Sequence, residues 1–225
     1  MSTRSFTLSR DLVRNLSLIS LAVLLVYGAS CVMLPAPAID ISTSTPQGKQ
    51  TAVFAGGCFW GMEAVFEHLK GVSDVVSGFS GGDPRTANYT LVSSGFTDHA
   101  ESVKIIYDPS QISYKDLLKV YFLVAHDPTQ LNRQGSDSGR QYRSAIFFVN
   151  DKQKQVAQDY INQLNKAQTF HKQIVTELAP LNGFYQAEAY HQNYIVRNLG
   201  DRYVVTHELP KLAKLQTAFP KMYKK

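Results

Sequence analysis

Cys58, in the run Gly56-Gly57-Cys58-Phe59-Trp60-Gly61, is a candidate nucleophile, and it is the one cysteine outside an N-terminal apolar stretch. It follows a short apolar segment and precedes a helical pattern. A helix N-terminus offers unpaired backbone N–H groups and a partial positive charge, so this placement predicts a thiol pKa below the usual value of roughly 8.5. Gly56 and Gly57 permit a sharp turn and leave room for a substrate beside the sulfur. Phe59 and Trp60 put two aromatic side chains next to it. The competing reading is a cysteine packed inertly in a strand–helix corner, a common fate of free thiols.

The elements that must hold this residue can be read from periodicity. Thr51 to Ala55 predicts a strand and Met62 to Leu69 a helix, with Cys58 in its first turn. Val72 to Phe79 predicts a second strand, ending in Ser80-Gly81-Gly82-Asp83-Pro84. Ser102 to Tyr107 alternates with period two before Asp108-Pro109. Ser113 caps a predicted helix through Val124, and Asn150-Asp151 opens another, with Val156, Tyr160, Ile161 and Leu164 as its core stripe. Strands are predicted over Arg143 to Val149 and Gln173 to Leu178. A last helix is predicted from about Gln186 to Leu199, stopping at Gly200. Interleaved strands and helices predict an α/β (α+β) fold, a two-layer sandwich with helices packed on a mixed β-sheet. The polar loop from His126 to Tyr142 is long enough to be functional.

The chain has 225 residues, 44% hydrophobic and 18% charged, which supports one well-packed domain and excludes a disordered or fibrous protein. An uncharged apolar stretch, Leu16 to Leu34, follows Arg4, Arg10 and Arg14. This is the pattern of a signal peptide or membrane anchor with its basic end in the cytoplasm. Residues 1–38 are assigned to that segment, with a Pro/Ser/Thr/Gly-rich tether to about residue 48 and a single catalytic domain over 49–225. Cleavage after Ala36-Pro37-Ala38, or lipid processing at Cys31, would each remove Cys31 as a free thiol. The protein is therefore expected in the cell envelope or on the lumen side of a membrane, as a monomer. Net charge is +5; the first 38 residues carry three Arg against one Asp, leaving +3 for the rest, too little to indicate nucleic acid. The tail Lys221 to Lys225 reads as a solvated end. No CxxC and no His/Cys spacing suited to zinc occur, so no metal is expected.

Four separated strings resemble the A-class peptide methionine sulfoxide reductases in order and spacing. They are the Cys58 run, Gly78-Phe79-Ser80-Gly81-Gly82 with Tyr89 downstream, His99-Ala100-Glu101, and His126-Asp127-Pro128-Thr129-Gln130 continuing to Asp137 and Gln141-Tyr142-Arg143-Ser144. The resemblance runs over roughly residues 51 to 199 and includes Tyr190-His191-Gln192-Asn193-Tyr194 near its end. It implies reduction of methionine S-sulfoxide, free or in proteins, by attack of Cys58 on sulfur, leaving a sulfenic acid. Glu101 matches the family's acid, which must be kept neutral to protonate a poor leaving oxygen. Tyr89 and Tyr142 match its phenols, and Asp137 would orient polar partners. Phe59 and Trp60 would enclose the substrate methyl group beside Gly57, with His191 as a further substrate contact. No prosthetic cofactor is implied; an external thiol such as thioredoxin, glutaredoxin or dithiothreitol restores Cys58. Many relatives carry resolving cysteines near the C-terminus, whereas residues 203–225 contain none. A thiol peroxidase and a non-catalytic envelope binding protein are the alternatives.

Overall fold

The computed structural model describes residues 48–224. The predicted signal or anchor segment, the tether and Cys31 lie outside the described residues. Among those described, no helix is long and apolar enough to cross a membrane.

The centre of the fold is β1 (Gln50–Ala55), which is buried and flanked by β3 (Ala100–Tyr107) and β6 (Ala145–Phe148), both antiparallel to it. β2 (Val72–Ser80) pairs antiparallel with the far side of β3, and β8 (Phe184–Gln186) closes that edge. β7 (Glu177–Pro180) runs parallel to β6 on the other edge, so the sheet is mixed, in the order β7-β6-β1-β3-β2-β8. Alternation along the strands sorts the side chains onto two faces. Ala52, Phe54, Val103, Ile105 and Ile146 enter the large core, which also takes in residues of α1 (Phe59–Glu67), α3 (Tyr114–Val120) and α4 (Asp151–Lys166). Val53, Ala55, Ala100, Ala145 and Phe147 point the other way into a small cluster with Ala179, Leu181 and Phe184. The expected mixed sheet with packed helices is present.

The caps hold where polar residues precede apolar periodicity. Ser113 Oγ accepts the Asp116 N–H at 3.1 Å, and Asn150 Oδ1 accepts that of Gln153 at 2.9 Å. Val156, Tyr160, Ile161 and Leu164 form the buried stripe of α4 as predicted. The helix begun by Ser113 leaves α geometry after Val120 and continues as a π-turn, Tyr121–Ala125, whose Tyr121 hydroxyl donates to the Ala55 carbonyl at 2.8 Å.

Three predictions are corrected. The strand expected over 173–178 lies at Glu177–Pro180, where pairing with β6 fixes it. The helix expected over 186–199 does not exist: β8 is followed by a 3-10 turn (Ala189–His191) and the short α5 (Tyr194–Arg197). Asn193 interrupts it in the left-handed region (φ 52), where its N–H donates to the buried Glu63 Oε2 at 2.9 Å. The tail expected as a solvated end keeps Lys221 and Lys224 exposed but is tied down, with Tyr223 bridging Leu69, and it follows a π-turn (Val204–Glu208) and α6 (Leu209–Ala218) that were not predicted.

Candidate active site

Cys58 is the N-cap of α1, just ahead of the first turn in which it was expected, and is 7% exposed. Gly57 adopts φ +83, and a Cβ there would stand 2.6 Å from the Gln134 side chain. Its N–H donates to the Tyr142 carbonyl at 3.2 Å. A Cβ on Gly56 would meet the His126 ring at 2.7 Å. These glycines let the 126–142 loop close over the Cys58 turn. The loop is ordered by the Asp127 carboxylate, which accepts from Thr129 Oγ1 at 2.8 Å and Gln130 Nε2 at 3.0 Å. It contains a small hairpin of β4 (Arg133–Gln134) and β5 (Asp137–Ser138) and a 3-10 turn, Arg140–Tyr142.

A cavity of about 210 Å³ opens beside the sulfur, lined by Cys58, Phe59, Trp60, Tyr89, Glu101, Asp137, Tyr142 and Tyr203. Cys58, Phe59 and Trp60 come from the start of α1 and the others from separate elements. Glu101 is on β3 opposite Phe79, Tyr89 opens α2 (Tyr89–Ser93), Asp137 is on β5, and Tyr142 ends the 3-10 turn. His99, two residues before Glu101, ties the β2–β3 connection by bonding the Asp83 carbonyl through Nε2 at 2.9 Å.

Glu101 is 2% exposed, and its Oε2 accepts the Phe59 N–H at 3.1 Å. Burial raises its pKa to about 8 against the pull of that N–H, with the charges of Asp137 and Glu208 adding to the rise. At neutral pH it is a carboxylic acid with a proton to give. Burial pushes the Tyr89 hydroxyl up to about 12 and raises those of Tyr142 and Tyr203 as well, so all three remain donors. The Tyr203 hydroxyl donates to Asp137 Oδ2 at 2.5 Å.

The thiol departs from expectation. Burial raises the Cys58 pKa well above its ordinary value, and the Glu101 and Glu208 carboxylates raise it further. The helix N-terminus acts as predicted, through the Trp60 N–H, and Lys211 helps it, but together they do not offset burial. At neutral pH Cys58 is therefore held as a thiol.

Phe59 is fully buried against Phe79 and Tyr89, with ring centroids 5.7 and 6.4 Å away. Trp60 is half-buried, stacked on Tyr194 at 3.6 Å and 6°, and its Nε1–H donates to His191 Nδ1 at 3.1 Å. The indole plane is thereby fixed at the cavity wall. His191 and Gly57, expected as substrate contacts, are not among the lining residues. His191 stands behind the wall, 1% exposed, with its ring 5.1 Å from Phe59 and 4.2 Å from Tyr89. Sequence reasoning missed Tyr203 and the buried Glu208 beyond it. The signal was Leu209, Leu212 and Leu215, three apolar residues at helical spacing around a Pro210 placed in the first turn. Among the described residues no group of three or more His, Cys, Asp or Glu could hold a metal ion.

The family model described as peptide methionine sulfoxide reductase matches residues 50–223. A peptide methionine sulfoxide reductase MsrA 2 of Synechocystis is 55% identical over 189 residues, covering 83% of this chain and 88% of the relative. The MsrA of Deinococcus radiodurans is 48% identical over 77% of this chain and 84% of its own length. Among solved structures, reduced Mxr1 from Saccharomyces cerevisiae superposes with a TM-score of 0.63 at 31% identity, covering 75% of this chain and 94% of that one. Methionine sulfoxide reductase A of Corynebacterium diphtheriae gives 0.59 at 34% identity, over 73% and 82%. With a buried acid and a cysteine sulfur on one small aromatic-walled cavity, and a match across nearly all the described residues, the chain belongs to the A-class peptide methionine sulfoxide reductases, enzymes of protein repair that reduce methionine sulfoxide.

Proposed function

We propose that Cys58 is the nucleophile and Glu101 the proton donor, and that the substrate is the S epimer at sulfur. The observation that carries this reading is the neutral carboxyl of Glu101, buried on the same cavity as the sulfur and anchored to the first N–H of the cysteine's own helix. The sulfoxide methyl packs between Phe59 and Trp60. Its oxygen takes hydrogen bonds from Glu101, Tyr89 and Tyr142, while Asp137 holds Tyr203 at the rim. Attack of the Cys58 sulfur on the substrate sulfur forms an S–S bond while Glu101 protonates the oxygen; the oxygen then passes to the Cys58 sulfur as the substrate S–O bond and the S–S bond break, releasing methionine. The net step is thiol plus sulfoxide giving sulfenic acid plus methionine: the substrate sulfur gains two electrons and Cys58 loses two. The proton given up by the thiol restores Glu101.

Two external thiols then reduce the sulfenic acid, leaving a disulfide and water. Residues 203–225, which hold resolving cysteines in many relatives, have none here, which supports a separate reductant of the thioredoxin or glutaredoxin type. The Leu16 to Leu34 stretch behind three arginines supports an exported or envelope-bound enzyme. The test is turnover of the purified chain on each sulfoxide epimer with dithiothreitol. Methyl, oxygen and lone pair meet three different walls, so one epimer should be reduced and the other refused. Equal rates would reject this arrangement of the site.

A further inference from the structure

We infer that the ion pair of buried Glu208 with partly buried Lys211 is a positioning pair for the reactive sulfur, setting by its two opposed charges how much of Cys58 is thiolate. Gly61, three residues after Cys58 in the first turn of α1, is where the two helices meet. A Cβ on Gly61 would overlap the Glu208 carboxylate and approach Lys211 Nζ to 3.0 Å, so only glycine admits this pair so close to the helix start. Glu208 is 1% exposed and the Lys211 side chain 17%. Lys211 Nζ lies 2.7 Å from Glu208 Oε2, an ion-pair contact on an oxygen that accepts no hydrogen bond among the described residues.

A buried ion pair is an inefficient way to join two helices, because desolvation cancels most of its attraction and an apolar pair of the same volume is often at least as stable. What it supplies is charge. The titratable and charged groups around Cys58 are Glu101 on β3, Asp137 on β5, Tyr89 on α2, Tyr142 on the 3-10 turn, Tyr203 before the π-turn, and this pair at the start of α6. Glu101 is neutral at pH 7, which leaves Glu208 as the larger remaining charge that opposes the thiolate and Lys211 as the one that favours it. The carboxylate outweighs the ammonium, so the pair favours the protonated thiol.

The inference rests on Cys58 as the nucleophile, but alkylation by iodoacetamide reads the thiolate without any sulfoxide reaction, so the two can fail separately. Alkylation of Cys58 in the full chain, followed by peptide mass spectrometry across pH, is compared in wild type, Glu208→Gln and Lys211→Met. Glu208→Gln should react several-fold faster at pH 7, with its pH profile moved down, and Lys211→Met should react no faster than wild type. If Glu208→Gln does not fold, Glu208→Gln/Lys211→Met replaces it. That variant leaves no buried charge unpaired, and its profile must still lie below that of wild type. An unmoved profile in the Glu208 variant, or faster alkylation in Lys211→Met as well, overturns the proposal, since loosening a merely structural pair from either side would have the same effect.

Discussion

Glu101→Gln should slow the enzyme and, at neutral pH, stabilise it. The amide keeps an oxygen to accept the Phe59 N–H, now bonded at 3.1 Å, but loses the proton and the titratable charge. Removal of a general acid costs ~10²–10⁴-fold in the chemical step. The stability effect follows from burial, which raises the folded carboxyl from 4.5 to about 8. Below the unfolded value both states are protonated and burial carries no ionisation penalty. As pH rises from there towards the folded value, the unfolded chain ionises while the folded one does not, so stability falls. At pH 7 the gap from 4.5 amounts to about 3 kcal/mol of lost stability. Glutamine does not titrate. Its stability relative to wild type should therefore improve by about 2–3 kcal/mol between pH 5 and pH 7, whatever constant cost the new amide brings. Urea unfolding at the two pH values and single-turnover rates provide the readouts. A difference that does not grow with pH would show that Glu101 is not held neutral by burial, and an unchanged single-turnover rate would move the proton donor to the tyrosines.

Cys58→Ser should keep the fold and lose all turnover, because a serine hydroxyl is far too basic to attack sulfur at neutral pH; residual sulfoxide reduction would end the nucleophile assignment. Tyr203→Phe removes the hydrogen bond to Asp137 and should lower the single-turnover rate by about tenfold while unfolding in urea shifts little. An unchanged rate would make that contact incidental to the site. Gly57→Ala places a Cβ at φ +83 and against Gln134, and should destabilise by about 1–3 kcal/mol; a neutral effect on the urea midpoint would mean that the loop yields freely.

The parts of the site legible in the sequence were those with local signals. The glycines flanking Cys58 announced the turn, and period-two alternation located β3, on which Glu101 sits. Ser113 and Asn150 marked helix starts that the backbone uses. What failed depended on partners distant in sequence. A helix was expected over 186–199, yet the edge of β2 captures Phe184–Gln186 and Glu63 holds the N–H of Asn193, so tertiary pairing overrides propensity. The thiol was misjudged for the same reason: a helix N-terminus is visible in sequence, whereas full burial and two carboxylates from β3 and the π-turn before α6 are not. Tyr203 went unassigned because lysines interleave with the apolar residues of α6, although those residues are at helical spacing.

The central claim is that one cysteine takes the oxygen from the substrate, and a single turnover without reductant tests it most directly. The chain, carrying Cys31→Ser so that Cys58 is its one thiol, is mixed with excess methionine S-sulfoxide and no other thiol, then treated with dimedone. The account predicts one methionine released per chain, a mass gain of one oxygen before trapping, and the dimedone adduct on the Cys58 peptide. Several methionines per chain in the absence of any thiol, or methionine released with Cys58 unmodified, would contradict it.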